Sequence, residues 1–222
     1  MWIVKLGGSL AQDPRLPGWL NMLAELGGGR VVIVPGGAAF ADAVRAAQAH
    51  WHFDDLAAHN MAVLAMAQTA HLFHALEPRL LLVSDEDGIR RALRAGQVAL
   101  WMPLSLLRDA PDLLTSWEVT SDSLALWLAR QQNAERLVVV KACAVLPHLT
   151  LAELTRRGTV DARFDRWASE APFPIAVVEC DAVGRVRDAL LGDAMLGATM
   201  QPPPGRVRRA SAGARARRKP MA

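Results

Sequence analysis

Twice within its first forty residues the sequence runs from an apolar stretch straight into a glycine turn and then into a helical pattern. The first unit is Met1 to Leu10, M-W-I-V-K-L-G-G-S-L. The second is the apolar run 31–34 followed by Pro35-Gly36-Gly37-Ala38-Ala39-Phe40 and a helical pattern over 41–50. A buried strand that ends in residues with almost no side chain brings its backbone close to whatever lies beyond. Glycines permit φ > 0, their N–H groups can face an anion, and a helix starting just after adds the positive end of its dipole. Lys5 places a point charge at the first of these loops. Taken alone, the first unit reads equally well as an edge strand with a Gly-Gly turn and a snorkelling lysine. Its repetition carries more information. If the two strands are parallel neighbours, both loops lie at one C-terminal edge, where open α/β sheets bind ligands.

Apolar runs continue to alternate with helical patterns, which predicts a mostly parallel sheet covered by helices on both faces. Helices are expected over 14–26, closed by Gly27-Gly28-Gly29, then over the long stretch 56–76, up to Arg94, and over 183–190. Shorter helical segments are expected over 147–157 and 161–169, and strands over 79–83, 98–102, 137–141 and 175–179. A loop over 109–118 separates two halves of the domain. Thr120-Ser121-Asp122-Ser123 heads the helix that follows, with more capping candidates than one helix needs, so spare polar groups can face a ligand. Lys141 closes the apolar run 137–141. A lysine there is costly without a partner, and Asp122 or a bound anion would supply one. Pro202-Pro203-Pro204 ends the fold.

At 222 residues the chain is long enough for an α/β core without disulfides or metal. Cys143 and Cys180 are far apart and form no C-x-x-C, which suits a reducing compartment and small buried side chains. No apolar run reaches membrane-spanning length and the N-terminus lacks a signal-peptide layout, so the expected setting is cytoplasmic, with no membrane partner. The formal charge of +3 is uneven: seven of the 25 basic residues fall in the last 17, leaving 18 basic against 22 acidic residues, or −4, for the rest. Nucleic-acid binding would rest on that tail alone, and 202–222 is expected to be a disordered basic tail. His71 and His74 are spaced for a shared ligand on the long helix, but no third ligand accompanies them and no metal site is assigned.

With Lys5-Leu6-Gly7-Gly8-Ser9, Pro35-Gly36-Gly37, Thr120-Ser121-Asp122-Ser123 and Val140-Lys141 in this order, the chain resembles the amino acid kinase family over about residues 1–200. This is the group of aspartate, acetylglutamate and uridylate kinases. Neither a P-loop G-x-x-x-x-G-K nor a G-x-G-x-x-G is present. The stretch Phe40-Ala41-Asp42-Ala43-Val44-Arg45, with His59 to Met66 on the long helix, is most similar to one branch. These are the small kinases of methanofuran biosynthesis, tied to one-carbon metabolism, which phosphorylate an aminomethyl-furan-methanol phosphate to its diphosphate.

The resemblance implies a three-layer α-β-α sandwich. Its half over about 1–110 would hold the acceptor and its half over about 111–201 would hold ATP with Mg²⁺. Apart from the resemblance, the Ala- and Met-rich helix over 56–76 suggests a homo-oligomer, a dimer or higher. By the same resemblance, Lys5 bridges the acceptor and the γ-phosphate, Lys141 neutralises the leaving side, and Asp122 holds both lysines in register. Gly7, Gly8 and Ser9 cradle the ATP phosphates, while Gly36 and Gly37 face the acceptor. Arg45 is a candidate for the acceptor's phosphate, and Asp54 and Asp55 for a cationic aminomethyl group. Other acceptors in the family's range are a nucleoside monophosphate, an isoprenoid phosphate or a carboxylate, and a non-catalytic nucleotide- or oxyanion-binding relative is a further alternative. Two departures stand out. Ala38 replaces a third glycine, and Ala142-Cys143-Ala144-Val145 replaces an Asp-Gly turn after the second lysine.

Overall fold

The computed structural model describes residues 1–146 and 148–199. Its strands are β1 (Trp2–Leu6), β2 (Val31–Pro35), β3 (Leu80–Val83), β4 (Val98–Trp101), β5 (Arg136–Lys141) and β6 (Ile175–Glu179). The helices are α1 (Leu16–Leu26), α2 (Ala38–Trp51), α3 (Asp55–Leu76), α4 (Glu86–Arg94), α5 (Ser121–Gln131), α6 (Leu151–Arg156), α7 (Phe164–Ala168) and α8 (Val183–Leu191). The strands form one sheet in the order β3-β4-β2-β1-β5-β6, and every pairing is parallel. The expected "mostly parallel" sheet is therefore wholly parallel among the described residues. Covered on both faces, its central strands read as unbroken apolar runs such as Val31-Val32-Ile33-Val34.

Period-two alternation divides those strands between two cores. Ile3, Val32, Val34, Leu137 and Val139 pack with α4, α5, α6 and α7. Val4, Leu6, Val31, Ile33, Val138 and Val140 pack with α1 and α8. The long helix α3 serves both, giving Val63 and Met66 to the first core and Ala70 and Phe73 to the second. Trp19 fastens α1 to the end of β6 by donating its buried indole N–H to the Cys180 carbonyl at 2.8 Å.

Several expectations are adjusted. The helix after the second glycine loop starts at Ala38 rather than at 41, because the Gly37 carbonyl already accepts from Ala41 N at 3.0 Å. Cys180 is buried as expected, but Cys143 is exposed, since it lies in the loop beyond β5 rather than under a helix. No described helix is long and apolar enough to cross a membrane. The basic segment 202–222 lies outside the described residues.

Candidate active site

Strand alternation aims the two lysines at the same helix. Lys5 lies on the β1 face shared by Ile3, and Lys141 stands two residues beyond Val139, the parallel partner of Lys5 in β5. Both side chains therefore face the layer that contains α5. Asp122, the second residue of α5, meets them there. Lys141 Nζ donates to Asp122 Oδ2 at 2.8 Å, and Lys5 Nζ lies 2.6 Å from Oδ1 in an ion pair that lacks good hydrogen-bond alignment. The Lys5 and Asp122 side chains are 3% and 5% exposed, so this is a buried pair, while Lys141 at 15% keeps some access to solvent. Burial pushes the Lys5 ammonium down to about 8, against the pull of Asp122 and with Lys141 adding to the fall. For Asp122 burial alone would raise the carboxyl, yet the two lysines hold it below its ordinary value. One carboxylate between two ammonium groups leaves positive charge to offer an incoming anion.

Directly above Lys5 the two glycine loops are pressed together. Gly7 N donates to Val140 O at 3.0 Å and Gly36 N to Leu6 O at 2.9 Å, so both sheet ladders extend into the loops. A Cβ on Gly36 would fall 2.4 Å from Gly8 N, and one on Gly8 would fall 2.7 Å from Ala38 N. Only bare backbone fits at that contact. The N–H groups of Gly8, Ser9, Gly37, Ala38 and Ala39 donate to no backbone acceptor among the described residues. They form a cluster of donors at the head of α2, suited to phosphate oxygens. Ala38, where a glycine was the alternative, sits at φ 50°, in the left-handed region. The substituted methyl thus brings local strain as well as bulk.

A cavity of about 390 Å³ opens beside these loops. Gly8, Ser9, Gly37, Arg45 and Asp55 lie on its wall, together with Ala38, Asp42, His59, Trp117 and apolar residues of α3 and α5. Three expected residues and the lysine–carboxylate cluster are placed differently. Gly7 and Gly36 serve the ladders and the loop contact and do not line the wall. Asp54 is occupied as the cap of α3, accepting from Ala57 N at 2.8 Å. Lys5, Asp122 and Lys141 sit beneath the loops, and Lys5 Nζ is 3.8 Å from where a Gly7 Cβ would stand.

Three residues that sequence reasoning passed over complete the arrangement. Trp117 comes from the loop before α5 and takes the Arg45 guanidinium 4.4 Å over its ring. Gln48 accepts from Trp117 Nε1 at 2.6 Å and donates to Asp55 Oδ1 at 2.9 Å, so one amide orients both. Asp161 binds the head of α5 from 38 to 41 residues away. A tryptophan in a connecting loop was the one available signal; nothing local marks Gln48 or Asp161. Among the described residues no group of three or more His, Cys, Asp or Glu side chains is placed to hold a metal.

Comparison with known proteins agrees with this geometry. Residues 1–144 match the model of the amino acid kinase family. A curated relative from Methanocaldococcus jannaschii, [5-(aminomethyl)furan-3-yl]methyl phosphate kinase, is 26% identical over 140 residues, covering 63% of this chain and 64% of its own length. Among solved structures, uridylate kinase from Archaeoglobus fulgidus superposes with a TM-score of 0.66 at 13% identity, covering 87% of this chain and 96% of that one. An isopentenyl phosphate kinase gives a TM-score of 0.60 at 15% identity, covering 89% and 98%. The matched segment contains both glycine loops, Asp122 and the two lysines that it holds, and on these grounds the chain belongs to the amino acid kinase family.

Proposed function

We propose that this chain is an ATP-dependent kinase that transfers the γ-phosphoryl group to a small phosphate ester, with an aminomethyl-furan-methanol phosphate as acceptor in methanofuran-type cofactor biosynthesis. The observation that carries the kinase reading is the buried Asp122 carboxylate holding Lys5 and Lys141 under two touching glycine loops. In the transfer, an acceptor phosphate oxygen bonds to the γ-phosphorus as the bond from that phosphorus to the β–γ bridging oxygen breaks, giving a diphosphate ester and ADP. Charge spreads over the transferred oxygens, so fixed positive groups do most of the work. Lys5, under the meeting point of the loops, would stabilise the transferred group, and Lys141 the leaving side. The free N–H groups of Gly8, Ser9, Gly37 and Ala38 would hold phosphate oxygens. Mg²⁺, carried on the nucleotide's own phosphates, would offset their charge when bound.

No general base is required, because a phosphate monoester is largely ionised above about pH 6. The cavity wall supports the acceptor assignment. Asp55 offers a carboxylate for an ammonium group, and Arg45, stacked on Trp117 and paired with Asp42, a guanidinium for the phosphate. The wall also takes Ser116, Trp117, Thr120 and Ser121 from the half assigned to ATP, so the acceptor would lie between the halves. The name of the curated relative supports the same acceptor. Strained Ala38 and the altered 142–145 loop favour the competing reading, a non-catalytic nucleotide-binding relative. Purified protein with Mg-ATP and a panel of acceptors separates them: turnover abolished in Lys5→Ala and Lys141→Ala supports the kinase, and ATP binding without turnover on any acceptor refutes it.

The same reading includes a homodimer through α3. Met61, Leu64, Leu72 and Leu76 form an exposed stripe, and no Asp, Glu, Lys or Arg occurs from 56 to 76. Sedimentation of Leu64→Arg should show a monomer where the wild type is a dimer; a monomeric wild type refutes the assembly.

A further inference from the structure

The turn between α6 and α7 is pinned to the head of α5. Asp161 accepts four hydrogen bonds there: from Thr120 N and Thr120 Oγ1, each at 2.9 Å, from Ser123 N at 2.9 Å, and from Ser123 Oγ. Two residues on, Arg163 N donates to Glu118 O at 3.1 Å and the Arg163 guanidinium pairs with the Glu118 carboxylate. A helix normally supplies its own cap, and a Ser or Thr does this for about 1 kcal/mol. Here Thr120 occupies the capping position yet makes no side-chain bond to its own helix. A half-buried carboxylate from far along the chain takes its place, which is costly and calls for a reason beyond helix stability. That reason is the residue bracketed by the four bonds, Asp122.

We propose that Asp161 is a positioning residue of the phosphoryl-transfer site: by capping α5 on both sides of Asp122 it fixes that carboxylate between Lys5 and Lys141. The inference rests on the kinase reading for its rate effect. The charged groups acting on Lys5 are Asp122 from α5, Lys141 from β5 and Asp161 from the turn before α7, and Asp161 favours the ammonium form. Burial first, and then the like charge of Asp122, push the Asp161 carboxyl above its ordinary value. The segment that follows β5 would thereby set the geometry of the catalytic carboxylate, joining the nucleotide side of the fold to the acceptor wall at Thr120.

The test compares full-length wild type, Asp161→Asn, and a Thr120→Val/Ser123→Ala double variant that removes two of the four bonds but keeps the charge. The chain has three lysines, Lys5, Lys141 and Lys219, so isotope-labelled lysine gives an NMR titration simple enough to follow Lys5 directly. In Asp161→Asn, kcat should fall roughly ten- to a hundredfold with little change in acceptor KM. Lys5 should titrate at a lower pH than in the wild type, and the alkaline limb of the rate profile should move with it. The double variant should lose kcat while Lys5 titrates as in the wild type. An Asp161→Asn protein that loses only thermal stability, with kcat and the Lys5 titration unmoved, overturns the proposal. If Asp161→Asn does not fold, an unchanged kcat in the double variant overturns it. A wild type without turnover defeats the kinase reading instead, and the Lys5 titration in ligand-free protein still decides the electrostatic role of Asp161.

Discussion

Replacing Asp122 by Asn removes the negative charge between Lys5 and Lys141 while keeping the shape of the side chain. Both lysines then face a neutral amide, and Lys5, at 3% exposure, has no water to turn to. Its escape is to lose its proton, and this bounds the stability penalty. With a folded value of about 8 against 10.5 for an ordinary lysine, Lys5 in the wild type is still protonated near neutrality. Relative to the neutral amine, that protonation contributes about 1.4 kcal/mol one unit below the folded value. A variant in which Lys5 is neutral forfeits about that amount near pH 7. The sign with pH follows. The wild-type Lys5 loses its own proton as pH rises through about 8, so the deficit from this residue grows on the acid side and vanishes on the alkaline side. Catalysis has no such escape. A neutral Lys5 cannot stabilise the transferred oxygens, and losing one preorganised group of this kind costs about a hundredfold or more in kcat. Urea unfolding of both proteins on either side of pH 8, together with the Lys5 titration and steady-state rates, checks all three. A stability deficit equal at acid and alkaline pH, or a Lys5 that titrates as in the wild type, refutes this account of the cluster.

Gly36→Ala should separate the loops, because its Cβ would stand 2.4 Å from Gly8 N with backbone on the opposing side; we expect a loss of about 2 kcal/mol in urea unfolding and little turnover, and a stable, active variant contradicts the contact. Trp117→Ala should raise acceptor KM about tenfold while leaving ATP KM in place. Equal effects on both substrates would show that Trp117 supports the fold rather than the acceptor. The profile of kcat/KM should rise near about pH 6 as the acceptor's phosphate ionises and fall through about 8 as Lys5 loses its charge. A profile flat through pH 8 removes Lys5 from the transition state.

The legible part of this molecule was the part written locally. Glycine pairs after apolar runs marked the ends of β1 and β2, a lysine closing an apolar run called for a partner such as Asp122, and the family resemblance joined Lys5 to that pair. Unbroken apolar strands announced a parallel sheet, though not the order that places β1 between β2 and β5. Gly36 was read as a ligand contact, but its lack of a side chain is used up where two loops touch, a fact about two segments that neither reveals alone. Trp117 and Gln48 lie 69 residues apart and meet only because α2 and the loop before α5 share the cavity wall. Asp161 looks like any loop aspartate until the fold folds it under α5. Asp54 and Asp55 are neighbours in sequence and were offered together; only the helix start, which spends Asp54 as a cap, distinguishes them.

The most direct test of the central claim is phosphorus NMR of the purified full-length chain with Mg-ATP and [5-(aminomethyl)furan-3-yl]methyl phosphate. The account predicts paired diphosphate resonances of the acceptor product growing in step with ADP, and their absence in Lys5→Ala. Unchanged acceptor and ATP signals, under conditions where the protein binds ATP, would contradict it.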